Sequence, residues 1–449
     1  MRELTRRRLG GSLVVPVALG LVCGLGILID PRLPLAIAVA AGFAWLGTRS
    51  PQLLVGLVFV SILFDRLGAT GFKVAKLPVT ASKLAVVGTL GLWSVHALVR
   101  RIALVRPHPV LVALVGMTVV TGICVAWSDS FDAGRFTLIG LAMVTVLTGA
   151  VYAILADRDL APLYRGLGVV VVLALVASVL GGGSGMDQHG RATGTFGDPN
   201  EWASLVLLVT PFLLGGLAED RHWTARFLRL GLIGLAPLAV LDSGSRAALL
   251  VGGCVALGML VVLRNNRTEL LLCAVGGLVA APFVVDLEIA LERFGRLFGR
   301  FTGQAMVNDG SLDERGELLR QGLDLFADHW MLGAGPGNFA KATGFISLDG
   351  RLRPAHNTYL EVAGEQGLLG LVAGAVFMVT VGLTLRAAWQ RAGSTDARAR
   401  VVGAGLGLMS LALMSATLGM LTFSMGYLVL GATLAVCHQA SLGEASHGR

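Results

Sequence analysis

FTLIGLAMVTVLTGAVYAILA, residues 136–156, decides the fold class. No charged side chain interrupts it, and at about 1.5 Å per residue a helix of this length spans a hydrocarbon core of about 30 Å. In lipid the backbone N–H and C=O groups find no water, so a continuous helix is the only plausible state for such a run. Similar runs lie on either side, at 10–29, 33–47, 52–64, 83–99, 109–127, 163–181, 202–217, 226–241, 246–263, 269–285, 366–385, 401–418 and 420–437. The runs at 33–47 and 52–64 are short against the ~20 residues a span needs. Read as broken or re-entrant, they leave twelve true spans out of fourteen candidates. The expected fold is therefore all-α: a polytopic membrane bundle of about 12–14 helices.

Composition agrees. Of 449 residues 55% are hydrophobic and 14% charged, with a mean hydropathy of +0.75; an average soluble domain is about 25% charged. The net charge of +8 does not point to nucleic acid, because Lys and Arg gather at the ends of the spans, as membrane topology requires. The five cysteines (23, 124, 254, 273, 437) sit in or beside apolar runs and read as small hydrophobes. No CxxC or His/Cys cluster suggests a metal, and no cofactor is expected. The first run follows Arg6-Arg7-Arg8 without a convincing cleavage site, and reads as a retained helix.

Alternating the spans from a cytoplasmic N-terminus puts 20 Lys/Arg on the inner side and 8 in the short outer loops, with 8 more in the stretch from about 286 to 366. Long loops carry little topological weight, so the expectation is both termini inside and that stretch outside. This divides the chain into 1–285, transmembrane helices; 286–365, an extracytoplasmic loop with short helices; and 366–449, transmembrane helices with a cytoplasmic tail.

A polar stretch of that length in an otherwise apolar chain calls for a role. Phe294, Leu297, Phe298 and Phe301 share a helical face with Arg293, Arg296 and Arg300 around it, a pattern suited to an anionic membrane surface. Ser311-Leu-Asp-Glu314 matches a capping box, and Leu319, Leu323, Phe326 and Trp330 repeat as one helix face. Gly333-Ala-Gly335-Pro-Gly337 superficially matches a nucleotide-binding glycine pattern. It lacks the preceding strand and reads as a turn.

Three polar features share the expected outer side. Arg191 sits in His189-Gly-Arg191-Ala-Thr-Gly-Thr-Phe-Gly-Asp198-Pro-Asn200, Arg246 ends Asp242-Ser-Gly-Ser-Arg246, and His356-Asn357 closes the long loop. Arg presents a fixed fork of donors that matches phosphate oxygens. Arg191 reads equally as a solvated loop residue. Arg246 either snorkels to the interface or needs a partner, Asp242 or a ligand phosphate. His356 titrates near neutrality and suits a general base, or else simply caps a helix. Glu361 and Glu365, four apart, share a helical face and either orient the His, pair with loop Arg residues or face solvent. Two Arg would suit a pyrophosphate and the His a sugar hydroxyl, so the site points to an anionic lipid-linked sugar.

The chain resembles the O-antigen ligase and O-antigen polymerase superfamily of bacterial membrane glycosyltransferases. Three segments carry the likeness: Arg191-Ala-Thr-Gly-Thr-Phe-Gly-Asp198-Pro-Asn200-Glu-Trp-Ala; Ser243-Gly-Ser-Arg246-Ala-Ala-Leu; and Arg315 followed by Asp328-His-Trp-Met-Leu-Gly-Ala-Gly-Pro-Gly-Asn338-Phe and His356-Asn357-Thr-Tyr-Leu-Glu-Val-Ala-Gly-Glu365-Gln-Gly. Trp330 departs from the family pattern, which has Pro there. The resemblance implies metal-independent, inverting transfer of a glycan from undecaprenyl pyrophosphate on the outer face of the cytoplasmic membrane. The acceptor would be a glycan, lipid or protein hydroxyl. It implies Arg191 and Arg246 on the donor pyrophosphate and His356 on the acceptor hydroxyl, with Asn200, Arg315, Asn357 and Glu365 as substrate-binding residues. Membrane lipids are the other expected partners. The competing expectation is a flippase or other polysaccharide transporter, which should carry ionisable residues near the midplane and related halves. The spans carry almost none, and no repeat is visible.

Overall fold

The computed structural model describes residues 50–63, 73–74, 77–78, 81–101, 103, 106–128, 130–180, 198–217, 222–262, 267–284, 310–346 and 352–442. The runs expected at 10–29 and 33–47, the Arg/Phe helix around 293–301 and Arg191 lie outside these residues. The described elements in chain order are α1 Pro51–Leu63, β1 Lys73–Val74, β2 Leu77–Pro78, α2 Ala81–Arg100, α3 Pro109–Ala126, α4 Phe131–Leu155, α5 Ala161–Leu180, α6 Pro199–Gly216, α7 Trp223–Asp242, α8 Arg246–Val262, α9 Arg267–Val284, α10 Gly310–Asp328, α11 Phe339–Thr343, α12 Thr358–Arg391, α13 Thr395–Met414 and α14 Ser424–Leu442. The protein is an all-α bundle, and β1 with β2 forms only a two-residue antiparallel ladder. Among the described residues six helices (α3, α4, α7, α12, α13 and α14) are long and apolar enough to cross a membrane, which makes this a multi-pass membrane protein.

Hydrophobicity all round a helix predicts burial on every side. α6 fits: from Trp202 to Gly216 every side is covered by protein. α14 is similarly enclosed. Small residues set the closest approach. Gly403 and Gly407 of α13, four apart, lie against the backbone of α6; an added Cβ would meet Pro211 O at 2.4 Å and Leu208 O at 2.6 Å. This is the small-xxx-small contact by which membrane helices gain packing without a hydrophobic driving force. Peripheral helices instead expose apolar rows. On α12, Leu368, Val372, Val376, Val379 and Leu383 point outward at helical spacing.

Tight turns place both ends of the bundle. Gly244 adopts φ 58 and terminates α7, and the Ser245 hydroxyl accepts the Ala248 N–H at 3.3 Å to cap α8. Arg246 therefore opens α8 one turn from the end of α7. Asp198 caps α6, accepting the N–H of Asn200 at 2.7 Å and of Glu201 at 3.1 Å, with Pro199 at the first helical position. Thr358, at the start of α12, donates its N–H to Ser415 O at 2.8 Å and Leu418 O at 3.1 Å, beyond the end of α13. The 198, 242–246, 356–358 and 415–420 segments thus share one end of the bundle.

The opposite end is basic. Arg106 pairs with Asp157, where His438 also approaches at 3.4 Å. Arg158 donates to Ile154 O at 2.6 Å and lies over Trp93. Arg229, Arg391, Arg398 and Arg400 occupy helix ends at the same level.

Candidate active site

α12 is broken where the site begins. Gly367 has φ 61 and ψ −154, a conformation confined to glycine. The break frees backbone groups on both sides, and the glycine turn after α10 takes them up. Leu368 N–H donates to Trp330 O at 2.7 Å and Leu369 N–H to Met331 O at 3.3 Å, while Ala334 and Gly335 N–H donate to Gly364 O and Glu365 O, each at 2.9 Å. Gly333, Gly335 and Gly337 all have positive φ, the glycine-favoured region that the turn exploits.

Side chains complete the joint. The buried Glu365 carboxylate accepts the N–H of Gly337 at 2.7 Å and of Phe339 at 2.9 Å, at the start of α11. Asn338 donates to Ser128 Oγ at 2.6 Å in the α3–α4 turn, and Gln366 accepts from Thr121 at 3.0 Å inside α3. Above the joint sits a second small core of Leu318, Leu325, Ala334, Phe339, Ala355 and Leu360. α10 meets α12 through Leu318, Gly322 and Leu325, with Leu360 seated on Gly322. The row Leu319–Leu323–Phe326 expected as one helix face lies on a different side, and Leu319 and Leu323 are exposed. Trp330 lies in the turn past the helix end and is also exposed.

His356 emerges from this core between Ala355 and α12. Its φ of 49 is left-handed, a cost of about 1–3 kcal/mol for a residue with a Cβ. Burial pushes its imidazole below the ordinary value. The Arg315 guanidinium pushes the same way, as Arg353 does, while Asp198 and Glu314 oppose them. His356 thus shares one electrostatic neighbourhood with Arg315 from α10 and Asp198 from the α6 N-terminus. Arg353 pairs with Glu314 at 3.2 Å.

The other expected residues fall as follows. Asn200 is half-buried in the first turn of α6. Arg246 is half-buried at the start of α8, at the same end of the bundle. Asn357 caps α12, accepting from Tyr359 N–H at 3.0 Å and Leu360 N–H at 3.1 Å. Glu361 points at Gly419, whose missing side chain leaves room for the carboxylate. The roles of Asp198, Glu314 and Arg353 beside His356 were not anticipated. Asp198-Pro199 ahead of an apolar run is a helix-start signal that marked the first of them.

Two apolar grooves reach this end from the membrane. One, of about 350 Å3, runs between α6, α7, α8 and α9 from Leu241 and Leu249 down to Met259 and Leu271. The other, of about 370 Å3, runs between α3, α12, α13 and α14 beneath Thr358 and Tyr359. Among the described residues no group of His, Cys, Asp and Glu is arranged to hold a metal ion.

Residues 230–375 match the family described as O-antigen ligase. This match supports the likeness to the O-antigen ligase and polymerase superfamily that the sequence motifs carry. The stretch that matches the O-antigen ligase family runs from within α7 to within α12 and so contains Arg246, Arg315, His356, Asn357 and Glu365. Arg191 and Asn200 precede it. No curated protein matches the chain.

Proposed function

We propose that this O-antigen ligase-type protein transfers a glycan from undecaprenyl pyrophosphate to a hydroxyl acceptor at the outer face of the cytoplasmic membrane. The observation that carries the reading is the gathering of His356, Arg315, Asp198 and Arg246 at one end of an apolar bundle, beside grooves open to lipid. The acceptor oxygen attacks the anomeric carbon of the donor sugar. The bond from that carbon to the phosphate oxygen breaks, with inversion, and the lipid pyrophosphate leaves. His356, held neutral by burial, takes the hydroxyl proton. Arg246 and Arg191 stabilise the charge that grows on the leaving pyrophosphate. Arg315 and Asn200 line the sugar side. The groove that starts next to Arg246 seats the prenyl tail. The pyrophosphate linkage is already activated, so nucleotide hydrolysis has no part in the step. The basic end, rich in Arg106, Arg158, Arg229 and Arg398, faces the cytoplasm, in keeping with the positive-inside rule.

The test is glycan transfer in vesicles loaded with lipid-linked oligosaccharide. Arg191→Ala, Arg246→Ala and His356→Ala should each reduce transfer by about 100-fold or more. Three active variants would remove the assignment. Movement of the lipid-linked glycan across the bilayer with its length unchanged would make the protein a transporter.

A further inference from the structure

We propose that α10 and the turn after it lie in the headgroup region of the outer leaflet, with the row Leu319, Leu323, Trp330 and Met331 immersed in lipid. α10 has three distinct sides. Leu318, Gly322 and Leu325 pack on α12. Glu317, Arg320 and Asp324 form a second, charged side, with Arg320 bridging both acids at 2.6 and 3.0 Å. Between these lies the apolar row, with Leu319 48%, Leu323 54%, Trp330 51% and Met331 55% exposed. At 100° per residue, Leu319 and Leu323 sit about 110° from the centre of the charged side, so the two sides face different surroundings.

What covers the apolar row follows from where it ends. Trp330 and Met331 carbonyls accept the N–H groups of Leu368 and Leu369, the first residues of the membrane-crossing part of α12. Leu368 itself is exposed and heads the outward row Val372, Val376, Val379 and Leu383. The apolar surface of the span therefore leads onto Trp330 and Met331, which follow the α10 row. A Trp at that junction sits where aromatic side chains favour the membrane–water boundary. An amphipathic helix joined to a span at this level buries its apolar side among headgroups and acyl chains. A lipid-embedded α10 would fix the height of Arg315, on the same helix, relative to the headgroups. The inference stands whether or not the protein transfers glycans.

The test places an environment-sensitive fluorophore at Leu323→Cys or, on the charged side, at Arg320→Cys, in the full chain reconstituted in vesicles. The unsubstituted chain supplies the background from native cysteines. Both positions are exposed, so the substitutions leave the fold in place. Lipids carrying a nitroxide near the headgroup should quench the Leu323 probe at least threefold more than the Arg320 probe, with blue-shifted emission for the former. Equal quenching by nitroxide lipid, or equal quenching of both by aqueous iodide, overturns the proposal. Protection of the Leu323 probe that depends on protein-to-lipid ratio and not on nitroxide lipid assigns the row to a second copy, and overturns it too.

Discussion

Replacing Glu365 by alanine removes the acceptor for two N–H groups, those of Gly337 and Phe339, in a position where the carboxylate is almost wholly enclosed. A buried donor left without a partner costs about 1–3 kcal/mol, so the pair costs about 2–6 kcal/mol. The lower end applies if water enters the space that the side chain leaves. At about 1.4 kcal/mol per factor of ten, the glycine turn and α11 should open about 30-fold to about 20,000-fold more often. Glu365→Gln keeps one oxygen and presents an NH2 where the second was, so it should lose one bond and fall between the two. Amide hydrogen exchange over 333–345 in the reconstituted protein reads this directly. Transfer should fall with it through kcat, because the turn positions the segment that leads to His356. Unchanged exchange in Glu365→Ala, with a raised KM for the lipid-linked donor, would refute the reasoning and return the carboxylate to the substrate.

Three further perturbations follow from the same geometry. Because burial and Arg315 hold His356 below its ordinary value, its neutral form persists to lower pH. Transfer should then be lost only as pH falls through that depressed value; Arg315→Gln should move the acid limb to higher pH, and Asp198→Asn, which keeps the helix cap, to lower pH. The same depression means that the unfolded chain binds the proton first, so stability should decline as pH drops below about 6.5. Gly367→Ala places a Cβ 2.5 Å from Met331 C in a glycine-only conformation and should cost at least about 1–3 kcal/mol, read as faster exchange over 330–337; Gly374→Ala, facing open space, serves as the neutral control. Gly407→Ala drives a methyl to 2.6 Å from Leu208 O and should lower thermal stability by about 1–3 kcal/mol, whereas Gly405→Ala, whose nearest neighbour is 3.7 Å away, should not.

The spans were legible because hydrocarbon imposes one solution on an uncharged run of sufficient length. The expected runs from 83–99 to 269–285 and from 366–385 to 420–437 each fall on a described helix, and so does the short run at 52–64. The turn at 242–246 was equally open to reading, since a glycine ending one helix and a serine capping the next are local choices. The break at Gly367 was not. Its glycine lies within Gly364-Glu-Gln-Gly-Leu-Leu-Gly370, and nothing local separates a glycine in a helix from one that interrupts it. The cause is tertiary: the turn at 330–335 supplies the hydrogen bonds that the helix gives up. α10 failed to declare its packing side for a related reason. Leu318 and Leu325 compete with Leu319 and Leu323 as two apolar rows on one helix, and periodicity cannot rank them. The family resemblance placed Glu365 among the substrate-binding residues. The partners turned out to include backbone N–H groups about thirty residues earlier, which no spacing rule reveals.

How α10 is attached bears on how the site works. A lid that opens for a lipid substrate should rest on few bonds, since mobile elements come from the weakly held parts of a fold. The stretch from 330 to 339 is held otherwise. Four backbone hydrogen bonds cross the break in α12, Glu365 adds two, and Asn338 and Gln366 tie the joint to α3 and its turn. Each bond is worth only about 0.5–1.5 kcal/mol net, but they act on one short segment and release together. The wall that carries Arg315 and His356 is therefore a fixed part of the bundle. On the proposed function, a prenyl chain would then enter sideways from the membrane, through grooves such as the one between α6 and α9, whose lining from Leu241 to Leu271 is apolar apart from Thr210. A fixed wall with a lateral entrance also accounts for the strained His356: a left-handed residue persists only where its surroundings over-determine it, and a swinging lid would relax it.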